Sequence, residues 1–243
     1  MALFNSSPFM NEDKFQKVLD APFAAEGRMT VSGAINKSFI LTGLLLLTSA
    51  IGFFLFNPIF LWGGLIVGFI VVLIAAFKPH LSPYLAPAYA IFEGLAVGGV
   101  SFMYASVFNG IVLNAFISTV GILAAMLFIY KSRIIKVTQK FRVGVFAATA
   151  AIALVYLINI VLSFFGMSVP MLHESGTFGI LISVGIIVVA TLNLLLDFDN
   201  IEKGAMHGAP KYMEWYSAMG LLITLVWLYL ELLRLLSKVS RSR

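Results

Sequence analysis

IFLWGGLIVGFIVVLIAAF, residues 59–77, runs for nineteen residues without a charged or strongly polar side chain and stops at Lys78. At about 1.5 Å per residue such a helix matches a hydrocarbon core roughly 30 Å thick. Immediately before it, Asn57-Pro58 is a turn signal, and before that ILTGLLLLTSAIGFFLF (40–56) is a second uncharged run following Phe39. Two apolar runs of this length joined by a tight turn describe a transmembrane helical hairpin. Neither run alternates with period two, so helices are preferred to a membrane barrel. The pattern continues in the C-terminal direction. A stretch bearing Pro79, Pro83 and Pro87 opens a third span through YAIFEGLAVGGVSFMYASVF (89–108), where proline is tolerated because a first helical turn lacks intrahelical donors. After Asn109-Gly110 comes a fourth span at 111–130. Beyond the basic cluster Lys131, Arg133, Lys136, Lys140 and Arg142, a fifth reaches about Phe165, a sixth takes 177–196 and a seventh 213–236.

The whole chain agrees with this reading. Of its 243 residues 60% are hydrophobic and 11% charged, against roughly 25% charged in soluble domains. The expected organisation is an all-α, seven-helix membrane domain over 38–238, between a polar N-terminal tail (1–37) and a short basic C-terminal tail (239–243). No second domain, internal repeat or cleavable secretory signal is evident. Cysteine is absent, which excludes disulfides, zinc thiolates and iron–sulfur clusters. His80, His173 and His207 all fall in expected loops, without a metalloprotease helix or an intramembrane Ser/His pair, and no phosphate-cradling loop is present. The chain is therefore expected not to be an enzyme, to carry no cofactor and to bind no nucleic acid; its first partner is the lipid bilayer.

Basic residues orient the spans, because cytoplasmic loops carry the excess of Lys and Arg. With the N-terminus inside, twelve of the sixteen fall inside: Lys14, Lys17, Arg28, Lys37, Lys78, the 131–142 cluster, Lys203 and Lys211. The loops at 57–58, 109–110 and 166–176 hold none. Arg234, Lys238, Arg241 and Arg243 oppose this orientation if the seventh span crosses, so a seventh helix that re-enters is the competing reading.

Charge inside a membrane helix costs on the order of 2.5–3.5 kcal/mol on insertion scales, so intramembrane polar residues mark candidate sites. Glu93 lies in mid-span beside Ala86, Ala90, Gly94 and Gly98, a four-residue stripe suited to close helix packing; it is expected to face the bundle, as a packing hydrogen bond or as a proton or cation site. Asn193, Asp197 and Asn200 share one face of the sixth helix, a polar lining, while Asp199 points away and is expected to be solvated. On the seventh, Ser217, Gly220, Thr224, Trp227, Glu231 and Arg234 form one stripe in which Glu231 and Arg234 can pair at i, i+3. Glu214, Trp215 and Tyr216 suit an interfacial anchor.

MTVSGAINKS (29–38), APAYAIFEGLAVGGVS (86–101), LLLDFDNIEKG (194–204) and MEWYSAMGLLITLVWLYLELLRLL (213–236) resemble, in order and spacing, the Bax inhibitor (transmembrane Bax-inhibitor-motif) family, and within it the bacterial YccA-type branch. The resemblance implies a bundle whose central seventh helix is ringed by the other six. It also implies a pH-sensitive calcium leak controlled by paired aspartates on helices six and seven. Asp197 matches the first aspartate; the position of the second falls at about Thr224, with Glu231 two turns further on. Glu93 stands where other branches lack an acid. One member inhibits a membrane-bound, ATP-dependent protease of the bacterial inner membrane, the location the resemblance implies here.

Two functions follow as expectations. The first is a pH-sensitive leak or transport pathway for calcium or protons, with Glu93, Asp197 and Glu231 as the cation or proton site and Asn193, Asn200, Thr224 and Arg234 as gating or polar lining. No firm metal site is expected. The alternative is a non-transporting modulator of a membrane protease or of stress and survival signalling that docks through the 1–37 tail. The topology is directly testable: Ser132→Cys should escape an impermeant thiol reagent applied outside intact cells, and labelling from outside would overturn the orientation.

Overall fold

The computed structural model describes residues 27–167 and 176–242. Among these residues there are seven helices long and apolar enough to cross a membrane: α1 (Val31–Phe54), α2 (Pro58–Phe77), α3 (Ser82–Ala105), α4 (Ile111–Lys131), α5 (Gln139–Ser163), α6 (Thr177–Met206) and α7 (Met213–Arg241). A 3₁₀ turn, Pro79–Leu81, leads into α3. Polar caps set the starts. The Thr30 hydroxyl accepts from the Gly33 amide at 3.0 Å, Asn57 from Ile59 at 2.8 Å ahead of Pro58, and Thr138 from Phe141 at 3.2 Å. These side chains satisfy amides that a helix N-terminus leaves without intrahelical partners. Gly110, at φ 73°, supplies the left-handed residue that reverses the chain into α4.

Three boundaries differ from the sequence reading. Helix α1 starts at Val31 rather than Phe39, so residues 31–37 of the expected tail are helical. Helix α6 continues to Met206, ten residues past 196, because its polar end finds partners in the protein instead of stopping at the interface. Val239–Arg241, assigned to a C-terminal tail, complete α7. Residues 1–26, residues 168–175 with His173, and Arg243 lie outside the described residues. His80 falls in the 3₁₀ turn and His207 caps α6.

Small residues permit the closest contacts. A Cβ on Gly94 would stand 1.9 Å from Thr48 Oγ1, and one on Gly98 would stand 2.1 Å from the Ser49 carbonyl oxygen, so this stripe of α3 lies directly on α1. Gly64 of α2 approaches the Phe92 carbonyl in the same way. Helix α7 packs against α1, α3, α4 and α6, whereas α2 rests on α3 and α5 leans on α6. Two apolar clusters share α7: Leu194, Leu195, Leu228 and Leu233 in one, and Leu41, Ala90, Met219 and Leu222 in the other. The C-terminal helix is thus central, although α2 and α5 form an outer layer rather than part of an even ring. Phe39, Phe54, Phe77 and Phe164 are among the large apolar side chains left on the outside, where lipid would cover them.

The course of α7 removes the re-entrant alternative. Glu214 in its first turn bonds Thr30 and Lys37 at the start of α1. At its far end Lys238 donates to the Gly179 carbonyl at the start of α6, and Arg241 lies over the Phe108 ring beyond α3. Its 29 residues make an uninterrupted helix about 43 Å long that traverses the bundle. The basic residues that opposed a crossing are partly internal, with Arg234 paired to Glu231 and Lys238 buried.

The α1–α3 contact makes a definite prediction. Gly98→Ala should destabilise the detergent-solubilised protein by about 2 kcal/mol through overpacking, whereas Gly121→Ala, which meets nothing within 4 Å, should not lower the melting temperature. Thermal unfolding of the two variants in parallel checks it.

Candidate functional site

Polar side chains concentrate at four places in the bundle, and the first is structural. The Glu214 side chain is fully buried. Its carboxylate accepts from the Thr30 amide (2.9 Å), the Thr30 hydroxyl (3.0 Å), Lys37 Nζ (2.5 Å) and Lys211 Nζ (2.8 Å). A Cβ on Gly33 would come within 2.1 Å of Glu214 Oε1, so glycine there lets the carboxylate sit against α1. Beside it the Met29 amide donates to the Ala209 carbonyl and Arg28 bridges to Pro210. Glu214 is therefore not part of an interfacial anchor; it clamps α1 to the α6–α7 junction.

The second place is the polar end of α6. Asp197 is half-buried, and its Oδ2 is sealed from solvent without a hydrogen-bond partner. The Thr224 hydroxyl of α7 lies beside this carboxylate, and a Cβ on Gly220 would be 4.0 Å from Asp197 Oδ1. The expected correspondence of Asp197 with Thr224 is thus a contact between α6 and α7. Asp199 is the correction here. It is buried, not solvated, and it pairs with Arg142 at 2.5 Å and Lys203 at 2.8 Å. Asn200 accepts from the same Arg142 at 2.7 Å while remaining exposed. Asn193 donates to Thr149 Oγ1 of α5 at 2.8 Å and to the Val189 carbonyl. The three residues expected to form one lining therefore diverge: Asp197 meets α7, whereas Asn193 and Asn200 meet α5. Glu202 anchors the α4–α5 loop by binding Arg133 at 2.5 Å and the Tyr130 hydroxyl.

The third place lies toward the other end of α7. Glu231 is only 2% exposed. It accepts from the Tyr156 hydroxyl at 2.5 Å and from Arg234 at 3.0 and 3.2 Å; Arg234 also donates to the Tyr156 hydroxyl and stacks over its ring. The expected i, i+3 pair is present, with a tyrosine from α5 completing it. One turn further, the buried Lys238 ammonium is held by two neutral oxygens, the Gly179 carbonyl (3.0 Å) and Ser183 Oγ (2.9 Å).

Glu93 is the fourth. It is buried in the α2–α3 interface, where a Cβ on Gly68 would stand 2.6 Å from its Oε2. It faces the bundle, as its position beside the small-residue stripe suggests, but toward α2, while the stripe faces α1. Glu93, Asp197 and Glu231 accordingly occupy three separate settings. Among the described residues no three His, Asp or Glu side chains assemble into a group that could hold a metal ion. A cleft of about 550 Å³ opens between α1, α3, α4 and α7, with apolar walls and an unpartnered Ser49 hydroxyl, away from all three acids.

The sequence reading missed the polar face of α5. Arg142, Thr149 and Tyr156 recur at seven-residue intervals, a periodicity that places them on one side of a helix, and each bonds α6 or α7.

Together these features describe a polytopic helical membrane protein with separate polar groups between its helices, most of them partnered within the protein. The family model described as Bax inhibitor 1 like matches residues 4–241. The chain belongs to that Bax inhibitor-like family. Among curated proteins no match is found.

The clamp yields a stability prediction. Glu214→Ala strands Lys37 and the Thr30 donors and should cost about 3 kcal/mol, as breaking a buried ion pair does. Glu202→Ala, at a more exposed pair, should cost distinctly less, because solvent screens such a pair. Denaturation of both variants in the same detergent measures the difference.

Proposed function

We propose that the protein is a pH-sensitive leak or transport pathway for protons or small cations in a bacterial inner membrane, its N-terminus cytoplasmic, and that it performs no enzymatic chemistry. The observation that carries this reading is the Asp197 carboxylate, half-buried at the α6–α7 interface, whose Oδ2 is shielded from solvent and has no hydrogen-bond partner. An unpartnered polar atom in a low-dielectric interior is costly, and a carboxylate in that position is relieved by a proton or a cation. Thr224 and Gly220 beside it add no second charge. The absence of an acid cluster among the described residues supports protonation of Asp197 rather than a calcium cage of the kind built from many oxygens. A change in the charge of Asp197 alters what α6 presents to α7, the helix around which the bundle packs, and so couples protonation to helix position.

The alternative function, modulation of a membrane-bound ATP-dependent protease, assigns the activity to the polar tail. Deleting residues 1–26 leaves Arg28, Met29 and Thr30 in place to clasp the α6–α7 junction; it should spare flux and abolish docking.

Purified protein in liposomes, assayed with proton- and calcium-sensitive dyes across pH, tests the leak. Asp197→Asn should flatten the pH dependence of flux, and Thr224→Asp, by placing a second titrating carboxylate beside the first, should broaden or split it. Superimposable curves for the parent and both variants would remove the mechanism.

A further inference from the structure

Helix α5 presents to the bundle the series Arg142, Val145, Thr149, Ile152, Tyr156 and Asn159, spaced three, four, three, four and three. Four of the six are polar, on a helix whose remaining faces are largely exposed Ala, Val, Leu, Ile and Phe. Val145 is the one buried residue of α5. Beyond Phe141, which packs on the main apolar cluster, and Val145, this helix is held by polar bonds at three levels. At the first, Arg142 joins Asp199 and Asn200; at the second, Thr149 receives the Asn193 amide; at the third, Tyr156 joins Glu231 and Arg234. The levels lie seven residues apart, so they extend over about 21 Å of helix, some two-thirds of a hydrocarbon core roughly 30 Å thick.

We infer that this seam between α5 and the α6–α7 pair is a water-accessible route through the membrane domain and that α5 is its lateral gate; the inference rests on the leak reading for what the route conducts. Helix α2, the other outer helix, provides the contrast. Its buried residues are Leu61, Gly64, Gly68, Val71 and Ala75, so moving it would bare mainly apolar surface that lipid tails cover without loss, apart from Glu93 on α3. Moving α5 would bare Asp199, Asn193, Glu231 and their partners. In hydrocarbon those groups have no substitute partners, so α5 separates only as water enters. One mouth is closed by the carboxylate–guanidinium pair Asp199–Arg142 (with Lys203 also on Asp199), the other by Tyr156 of α5 on the Glu231–Arg234 pair of α7, and the middle by the neutral Thr149–Asn193 bond.

The absence of cysteine makes the test clean. In proteoliposomes of the full chain, Thr149→Cys/Asn193→Cys should form a disulfide on mild oxidation, lose flux several-fold and recover it on reduction. Thr149→Cys alone should react with a charged methanethiosulfonate reagent, whereas Ala147→Cys, on the lipid side of the same helix, should not. Tyr156→Phe, which keeps the ring but removes the hydroxyl that binds Glu231, should raise flux. A cross-link that leaves flux unchanged, a pair that cannot be cross-linked, or an unreactive Thr149→Cys overturns the seam while leaving a leak through Asp197 standing. A parent without flux but with a reactive Thr149→Cys supports the water route and refutes the leak.

Discussion

A polar group inside a bilayer finds its partner within the protein or has none, because hydrocarbon offers neither donors nor acceptors. The backbone meets this demand through continuous helices, and in the described residues the side chains meet it almost completely; Asp197 Oδ2 and the Ser49 hydroxyl are the buried exceptions. The same demand explains why the intramembrane acids lie apart. Glu214 is neutralised by two lysines and the Thr30 donors, Asp199 by Arg142 and Lys203, and Glu231 by Arg234 and Tyr156. Each pairing joins two or more helices. Because apolar packing between helices gains little when lipid tails compete equally well for the same surface, these bonds and the close glycine contacts between α1 and α3 determine which helices are neighbours.

Span number and approximate position were legible because a hydrocarbon core imposes length and apolarity on any crossing helix, whatever its neighbours; the central place of the C-terminal helix came only from the family resemblance. Helix ends were less legible. Nothing in LNLLLDFDNIEKG considered alone shows that Arg142, 57 residues earlier, waits to neutralise Asp199, and without that partner the rational expectation is a helix that stops and a solvated aspartate. Glu214 misled for the same reason: beside Trp215 and Tyr216 it has the composition of an interfacial anchor, and its real surroundings come from α1, more than 170 residues away in the chain. Glu231 with Arg234 was readable since both partners lie on one helix. Its third member, Tyr156, was not. The α5 stripe was the readable signal left unused: Arg142, Thr149 and Tyr156 repeat every seven residues, but periodicity in the apolar background hides a polar repeat unless the polar residues are tracked by themselves.

Asp197 and Asp199 show how two residues of helical rotation separate a structural charge from a switchable one. They stand about 200° apart around α6, so one meets α7 and the other the basic start of α5. Asp199 is compensated by two cations, one of them Arg142 of α5, which ties its charge to the attachment of that helix. Asp197 meets a hydroxyl and a glycine, has no cation to lose, and retains an oxygen that nothing in the described protein satisfies. The charge of Asp199 holds an existing joint, whereas protonating Asp197 would ease a strain already present. The two aspartates thus give α6 different couplings to its neighbours. Protonation that settles α6 against α7 through Asp197 therefore moves a helix that Asp199 ties to α5, so a change at the α6–α7 contact is passed to α5 through the Arg142 pair.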